Sequence, residues 1–101
     1  MYKILLCCTS GLTTSMLVDA MKKEAAKQTL DVMVWAVAIS AIELSWADAD
    51  CILVASQNTS DLEKVKSIVK TSIPVEEIND IDFSKMDGKA VLNRAIELIV
   101  S

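Results

Sequence analysis

The amino-acid sequence predicts an α/β fold: a four-stranded parallel open sheet with helices on both faces, a three-layer α/β/α sandwich. Three observations lead there. Short apolar runs recur at 2–7, 31–39 and 50–55, the pattern of strands covered on both faces. Between and after them lie stretches whose apolar residues repeat at helical spacing. The alternation of the two implies βαβ units with right-handed crossovers.

The elements follow in order. Tyr2 to Cys7 is apolar except for Lys3. A helix is expected from near Thr13 or Thr14, with Leu17, Met21 and Ala25 on its inner side and Lys22, Lys23 and Lys27 opposite. The runs DVMVWAVAI (31–39) and DCILVA (50–55) supply two further strands, and PVEEI (74–78) a fourth, shorter one. Leu62, Val65 and Val69, with Glu63, Lys64 and Lys66 opposite, mark a second helix. A last helix runs from Asp87 onward with Val91, Ala95 and Leu98 on one side. Pro74 and the Asp87-Gly88 pair punctuate loops, and no repeat or linker divides the 101 residues. One domain spanning 1–101 is expected, burying roughly 60–70% of the surface its unfolded chain exposes.

Composition narrows the function. A net charge of −4 without a cluster of lysines or arginines argues against nucleic acid, whose binding rests on cationic contacts to phosphates. The longest apolar run, at 32–39, is less than half of the roughly 20 residues that cross a bilayer. The opening MYKILLCC is too short for a secretory signal, so a cytoplasmic protein is expected. The acidic residues of 43–50 and 76–87 read as solvated surface. Three cysteines, an odd number, fit no complete disulfide framework and suit a reducing compartment. With no histidine and no C-x-x-C pair, the usual zinc sites and imidazole-based catalytic sets are excluded. No cofactor or metal is expected.

The informative stretch is CCTSGLTTS at 7–15. In open α/β sheets, ligands bind beyond the carboxyl ends of the strands, which is where this segment falls. The helix after it offers backbone N–H groups and partial positive charge to whatever occupies the loop. Gly11 permits close backbone approach, and the hydroxyls of Thr9, Ser10, Thr13, Thr14 and Ser15 can cap the helix or bond anionic oxygens. The same field favours the thiolate of a cysteine placed there. The loop thus offers a nucleophile beside an oxyanion site, and the simplest chemistry using both is phosphoryl transfer to and from sulfur. Read from spacing alone, a capped turn with no ligand stands as the alternative. Cys7 continues the buried alternation of the strand, Cys8 sits where the strand ends, and Cys51 lies within an apolar run.

The order Cys8-Thr9-Ser10-Gly11-Leu12-Thr13-Thr14-Ser15 after an apolar first strand resembles the active-site loop of enzyme IIB components of the bacterial phosphoenolpyruvate-dependent sugar phosphotransferase system, lactose/cellobiose branch. That loop runs Cys-x-x-Gly-x-(Ser/Thr)-Thr-Ser before an apolar helix. The likeness extends to the DADCILVASQ strand, to Gln57 and to the KMDG turn at 85–88. It departs at Ala55-Ser56, where a Gly-Pro pair is common before the glutamine. The resemblance implies that Cys8 is the phosphorylated cysteine and that Thr9, Ser10, Gly11, Leu12, Thr13, Thr14 and Ser15 form the phosphate-binding loop. It implies a phosphoryl group arriving from a histidine of the IIA protein and leaving for a sugar at the membrane-embedded IIC. A β-linked disaccharide such as cellobiose, chitobiose or lactose is the implied substrate.

Six positions after Cys8, where low-molecular-weight tyrosine phosphatases carry a phosphate-clamping arginine, this chain has Thr14. Without that cation and a leaving-group acid, hydrolysis is slow, as suits a carrier. A flavodoxin-like FMN-binding module is the rival reading of Thr9 to Thr13, opposed by the chain's length and its four aromatic residues, Tyr2, Trp35, Trp46 and Phe83. A thiol redox pair at Cys7-Cys8 lacks the C-x-x-C spacing, and a receiver-type site would need acidic residues closing the first strand. Leu12 and Met16 flank the loop as candidate apolar docking surface, with Met16 in the helix core as the other possibility. Nothing in the chain demands more than a monomer.

Overall fold

A computed structural model of the chain describes residues 1–8, 12–55, 59–69 and 73–100, with the backbone alone at 12–14, 59 and 80. Four strands, β1 (Tyr2–Cys8), β2 (Val32–Ala38), β3 (Cys51–Ala55) and β4 (Val75–Glu77), form one sheet in the order β2-β1-β3-β4. Every pairing is parallel. The helices are α1 (Leu12–Lys27), α2 (Thr59–Ile68), α3 (Asp80–Ser84) and α4 (Gly88–Val100).

Strand alternation sorts the core into two layers. Ile4, Leu6 and Cys8 of β1 join Cys51, Leu53 and Ala55 of β3 against Leu17, Met21 and Ala25 of α1 and Val91, Leu92 and Ala95 of α4. Leu5 and Cys7, with Ile52 and Val54, face the other way, against Val65 and Val69 at α2 and Ile39 and Ile42. The two layers with the sheet between them are the predicted sandwich.

Three details differ from the sequence expectation. The run 31–39 is not covered on both faces: β2 is an edge strand, so Met33 is exposed and residues 35–38 are only half-buried. Ile39 leaves the strand and starts a 3₁₀ segment, Ile39–Leu44, followed by a short 3₁₀ turn at Trp46–Asp48. Ile39 and Ile42, three residues apart, stack on one side of that segment as 3₁₀ geometry requires and are both buried. Helix α3, five residues long, is too short to leave a periodic trace in the sequence. Asn79 nucleates it by accepting from the N–H groups of Ile81 (2.9 Å) and Asp82 (3.3 Å).

Two helices end alike. The Leu30 N–H donates to the Ala25 carbonyl and the Thr29 N–H to that of Ala26, with Thr29 at φ 54°. The Asp87 N–H donates to Asp82 and the Met86 N–H to Phe83, with Met86 at φ 51°. Both are Schellman closures made without the customary glycine. Asp87 then accepts from the Ala90 N–H at 3.1 Å and caps α4, so the KMDG turn closes one helix and opens the next.

Gly88 stands where α4 crosses α1. A Cβ at this position would lie 2.5 Å from the carbonyl carbon of Ala20 and 2.6 Å from its oxygen, a clash with backbone that no side-chain rotation relieves. Gly88→Ala is therefore expected to destabilise the protein by about 1–3 kcal/mol through overpacking, read as a lower midpoint in urea unfolding. An unchanged midpoint would show that the two helices are not in contact here.

Candidate functional site

Cys8 is the last residue of β1, and the register sets it between Ala38 of β2 and Ala55 of β3. Both neighbours end their strands, so Cys8 stands at the carboxyl edge of the sheet. Its alternation places it in the layer that holds α1. Helix α1 begins at Leu12, four residues on and slightly earlier than the sequence suggested. The first turn contains no acidic residue. An α-helix leaves its first N–H groups without intrahelical acceptors, and no carboxylate of this turn offsets their partial positive charge.

Of the loop residues singled out from the sequence, Thr9, Ser10 and Gly11 lie outside the described residues, as do Ser56 and Gln57. Leu12, Thr13 and Thr14 contribute the backbone of the first turn of α1, and Ser15 follows them on the exposed side. Met16 is 64% exposed, which removes it from the helix core and leaves an apolar side chain bared one helical turn beyond the loop.

All three cysteines are buried, and no disulfide joins them. Their positions separate them. Cys7 points into the opposite layer, where its thiol donates to the Leu53 carbonyl at 3.7 Å. Burial, reinforced by the neighbouring Cys8 and by Asp61, pushes the Cys7 thiol up to about 12. Cys51 opens β3, four residue steps back along the sheet from the level of Cys8. Burial first, then the charge of Glu76, pushes its thiol up to about 12 as well. Both are neutral core residues at physiological pH, as strand alternation suggested for Cys7 and the apolar run for Cys51.

Helix α2 starts at Thr59 and carries Asp61 in its first turn. Its beginning, four residues after Ala55, brings a second helix N-terminus to the edge where Cys8 sits. Nothing local in the sequence distinguishes Asp61, because an aspartate at a helix start is ordinary. The acidic residues of 76–87 are likewise not all idle surface. Glu76 accepts two bonds from Arg94, Nε at 2.8 Å and Nη2 at 2.7 Å, while Nη1 reaches Glu97 at 3.1 Å. These bonds hold the Glu76 carboxyl below its ordinary range. They tie the edge strand β4 to α4. In the 43–50 stretch, Asp50 accepts from the Lys3 N–H at 3.0 Å and fastens the start of β3 to β1.

Among the described residues there is no group of three or more histidine, cysteine or carboxylate side chains suited to a metal ion. No described helix is long and apolar enough to cross a membrane.

A family model described as "PTS system, Lactose/Cellobiose specific IIB subunit" matches residues 3–94. The chain belongs to this family. It is 34% identical over 104 residues to the oligo-beta-mannoside-specific EIIB component of the PTS from Bacillus subtilis (strain 168), a match covering all of this chain and 99% of that protein. The solution structure of the cellobiose-specific phosphotransferase IIB component from Borrelia burgdorferi superimposes with a TM-score of 0.82 at 33% identity, covering 97% of this chain and 91% of that one. The lactose-specific IIB domain from Streptococcus pneumoniae gives a TM-score of 0.83 with 95% of each chain covered; at 19% identity it speaks for the fold alone. The family decides between the readings of the hydroxyl-rich loop: a IIB component, not a flavin module. As a IIB component the protein takes part in phosphotransfer for sugar uptake, with IIA and IIC components as its partners.

The raised thiols make alkaline stability informative. Each folds protonated and would ionise near 9.0 when exposed, so the folded state holds more protons between those limits. Their stabilisation is complete below about pH 9 and is lost as pH rises toward about 12, at up to about 1.4 kcal/mol per pH unit for each thiol. In urea titrations across pH 8.5–11, Cys7→Ala is expected to lower stability at neutral pH yet flatten its alkaline decline. An equally steep decline in the variant would mean that Cys7 ionises freely in the folded protein.

Proposed function

We propose that the Cys8 thiolate accepts a phosphoryl group from a phosphohistidine of the IIA protein and passes it to a sugar bound by the membrane IIC protein. In the first step sulfur attacks phosphorus in line: the S–P bond forms, the N–P bond breaks, and the departing imidazole takes a proton. In the second step a sugar hydroxyl attacks, the O–P bond forms, the S–P bond breaks, the hydroxyl proton leaves to a base of the partner, and sulfur departs as thiolate. The phosphoryl oxygens are held by main-chain N–H groups of residues 9–15 and by the hydroxyls among them. With Thr14 where a related phosphatase loop has arginine, water gains little assistance and the group persists long enough to be handed on.

The observation that carries this reading is the position of Cys8: last in its strand, at the carboxyl edge of the sheet, in the layer of the helix that begins four residues later. Cys7 and Cys51 are held as neutral thiols inside the core, and only an ionised sulfur is a competent nucleophile. The whole chain, 1–101, acts as a single IIB domain at the cytoplasmic side of the membrane. A β-linked disaccharide such as cellobiose, chitobiose or lactose is the proposed substrate class; the relative from Bacillus subtilis is named for oligo-beta-mannosides.

Incubation with phosphoenolpyruvate and the upstream carriers is expected to add one phosphoryl group, located on Cys8 by mass spectrometry. Cys8→Ser is expected to remain folded and to abolish sugar phosphorylation in the reconstituted system. Label on Cys7 or Cys51 would overturn the assignment.

A further inference from the structure

The sheet has two edges, and they are finished differently. Strand β4 is three residues long, follows Pro74 and carries Glu76 and Glu77, the short and charged kind of edge that resists pairing with another chain. Strand β2 is seven residues long, VMVWAVA, with no charge, proline or glycine. Its outward side is set by the ladder to β1. The Tyr2 N–H donates to the Asp31 carbonyl at 3.0 Å, and Tyr2 pairs with Val32. Residues 31, 33, 35 and 37 therefore face β1, while Val32, Val34 and Ala36 turn their N–H and C=O groups away from it. No described strand lies on that side. A cleft of about 350 Å³ opens beside Val32, Met33 and Val34, lined also by Ala25, Ala26 and Leu30, so α1 does not seal this edge. On the other face Met33 is 47% exposed and Trp35 only partly buried, where the 3₁₀ segment Ile39–Leu44 packs in place of a full helix.

We infer that this edge pairs with the β2 edge of a second copy of the chain, antiparallel and about a two-fold axis, to make one continuous eight-stranded sheet. The register follows from parity. Only even-numbered residues of β2 offer outward bonds, so two copies join only where even faces even, and full overlap of 32–38 then sets the two-fold at Trp35. Val34 exchanges hydrogen bonds with Ala36 of the second copy, and Met33 lies opposite its Val37. The two Trp35 residues meet in a non-hydrogen-bonded pair, where Cα atoms approach to about 4.5 Å. Aromatic and apolar cross-strand pairs of this kind stabilise a sheet. The occupant is a second copy because the edge is its own complement: an isologous contact sets each residue against another of the same segment, and over 32–38 no like charges meet. The same operation on β4 would set Glu76 against Glu76. Antiparallel pairing sends the two Cys8 residues to opposite ends of the joined sheet, and it does not depend on which group is phosphorylated. The sequence alone demands no more than a monomer, since the apolar run at 32–38 reads like a strand paired on both sides.

Sedimentation equilibrium of the whole chain between about 5 and 500 µM, the range in which a small edge interface associates, is expected to show the mass rising from that of one chain toward that of two. Ala36→Pro removes an N–H that no ladder bond to β1 uses, and Met33→Lys puts a charge on the exposed face of the edge. Each is expected to keep the far-UV circular dichroism of the fold and to raise the dimer dissociation constant by about tenfold or more, the two-fold applying each change twice. Hydrogen exchange gives a second reading. The Ala36 amide is expected to slow as the protein is concentrated, while those of Trp35 and Val37, already bonded to β1, stay as they are. A single-chain mass at every concentration would overturn the inference and leave the edge to an extended segment of another protein. A dimer that both folded variants leave intact would overturn it too, by placing the contact on another surface. If Ala36→Pro does not fold, Met33→Lys and the exchange pattern decide.

Discussion

The structure depends on the pairing of β1 in parallel on both sides, to β2 over its full length and to β3 along Ile4 to Cys8. A strand so placed has no free edge, and successive side chains must enter opposite layers. That constraint makes two adjacent, chemically identical residues different. Cys7 enters the α2 layer and bonds a core carbonyl; Cys8 enters the α1 layer at the point where the sheet stops. A slip of one residue would exchange the layers of every side chain on the strand. The fully buried Ile4, Leu5 and Leu6 on both faces make such a slip costly, because each would meet a site shaped for its neighbour.

The position of α1 is the second requirement of the site, and it is set far from Cys8. Gly88 lets the start of α4 approach the backbone of Ala20, and Met21 and Leu92 fill the layer on that side of the sheet. Asp87 caps α4, and the turn before it is fixed by the closure of α3. The strand end and the first turn of α1 thus belong to one packed unit, so in the proposed reaction the amides of that turn are held in place by packing before a phosphoryl group arrives.

Much of this is written locally in the chain. Apolar runs and helical spacing locate four strands and three of the helices, because both periodicities are imposed by burial. Strand order is not local. The run 32–38 is as apolar as a central strand, yet it lies at the edge, and Met33 is exposed there. The 3₁₀ segment through Ile39 and Ile42 replaces a crossover helix that no pattern announced, and the Arg94–Glu76 clasp joins residues 18 apart. At the site, strand alternation marked Cys7 as core, the apolar run around Cys51 did the same for that residue, and the hydroxyl-rich composition marked 9–15. The choice of Cys8 as nucleophile came from the family likeness together with its place at the strand end.

The central claim is that one sulfur, at the end of β1, meets the amides that begin α1. Amide ¹H–¹⁵N shifts recorded before and after enzymatic phosphorylation test it directly. The account predicts that the large changes gather at residues 8–15, with the inner amides of β1 and β3 nearly still. Large changes centred on the α2 layer around Cys7, or at the start of β3 around Cys51, with residues 8–15 unmoved, would contradict it.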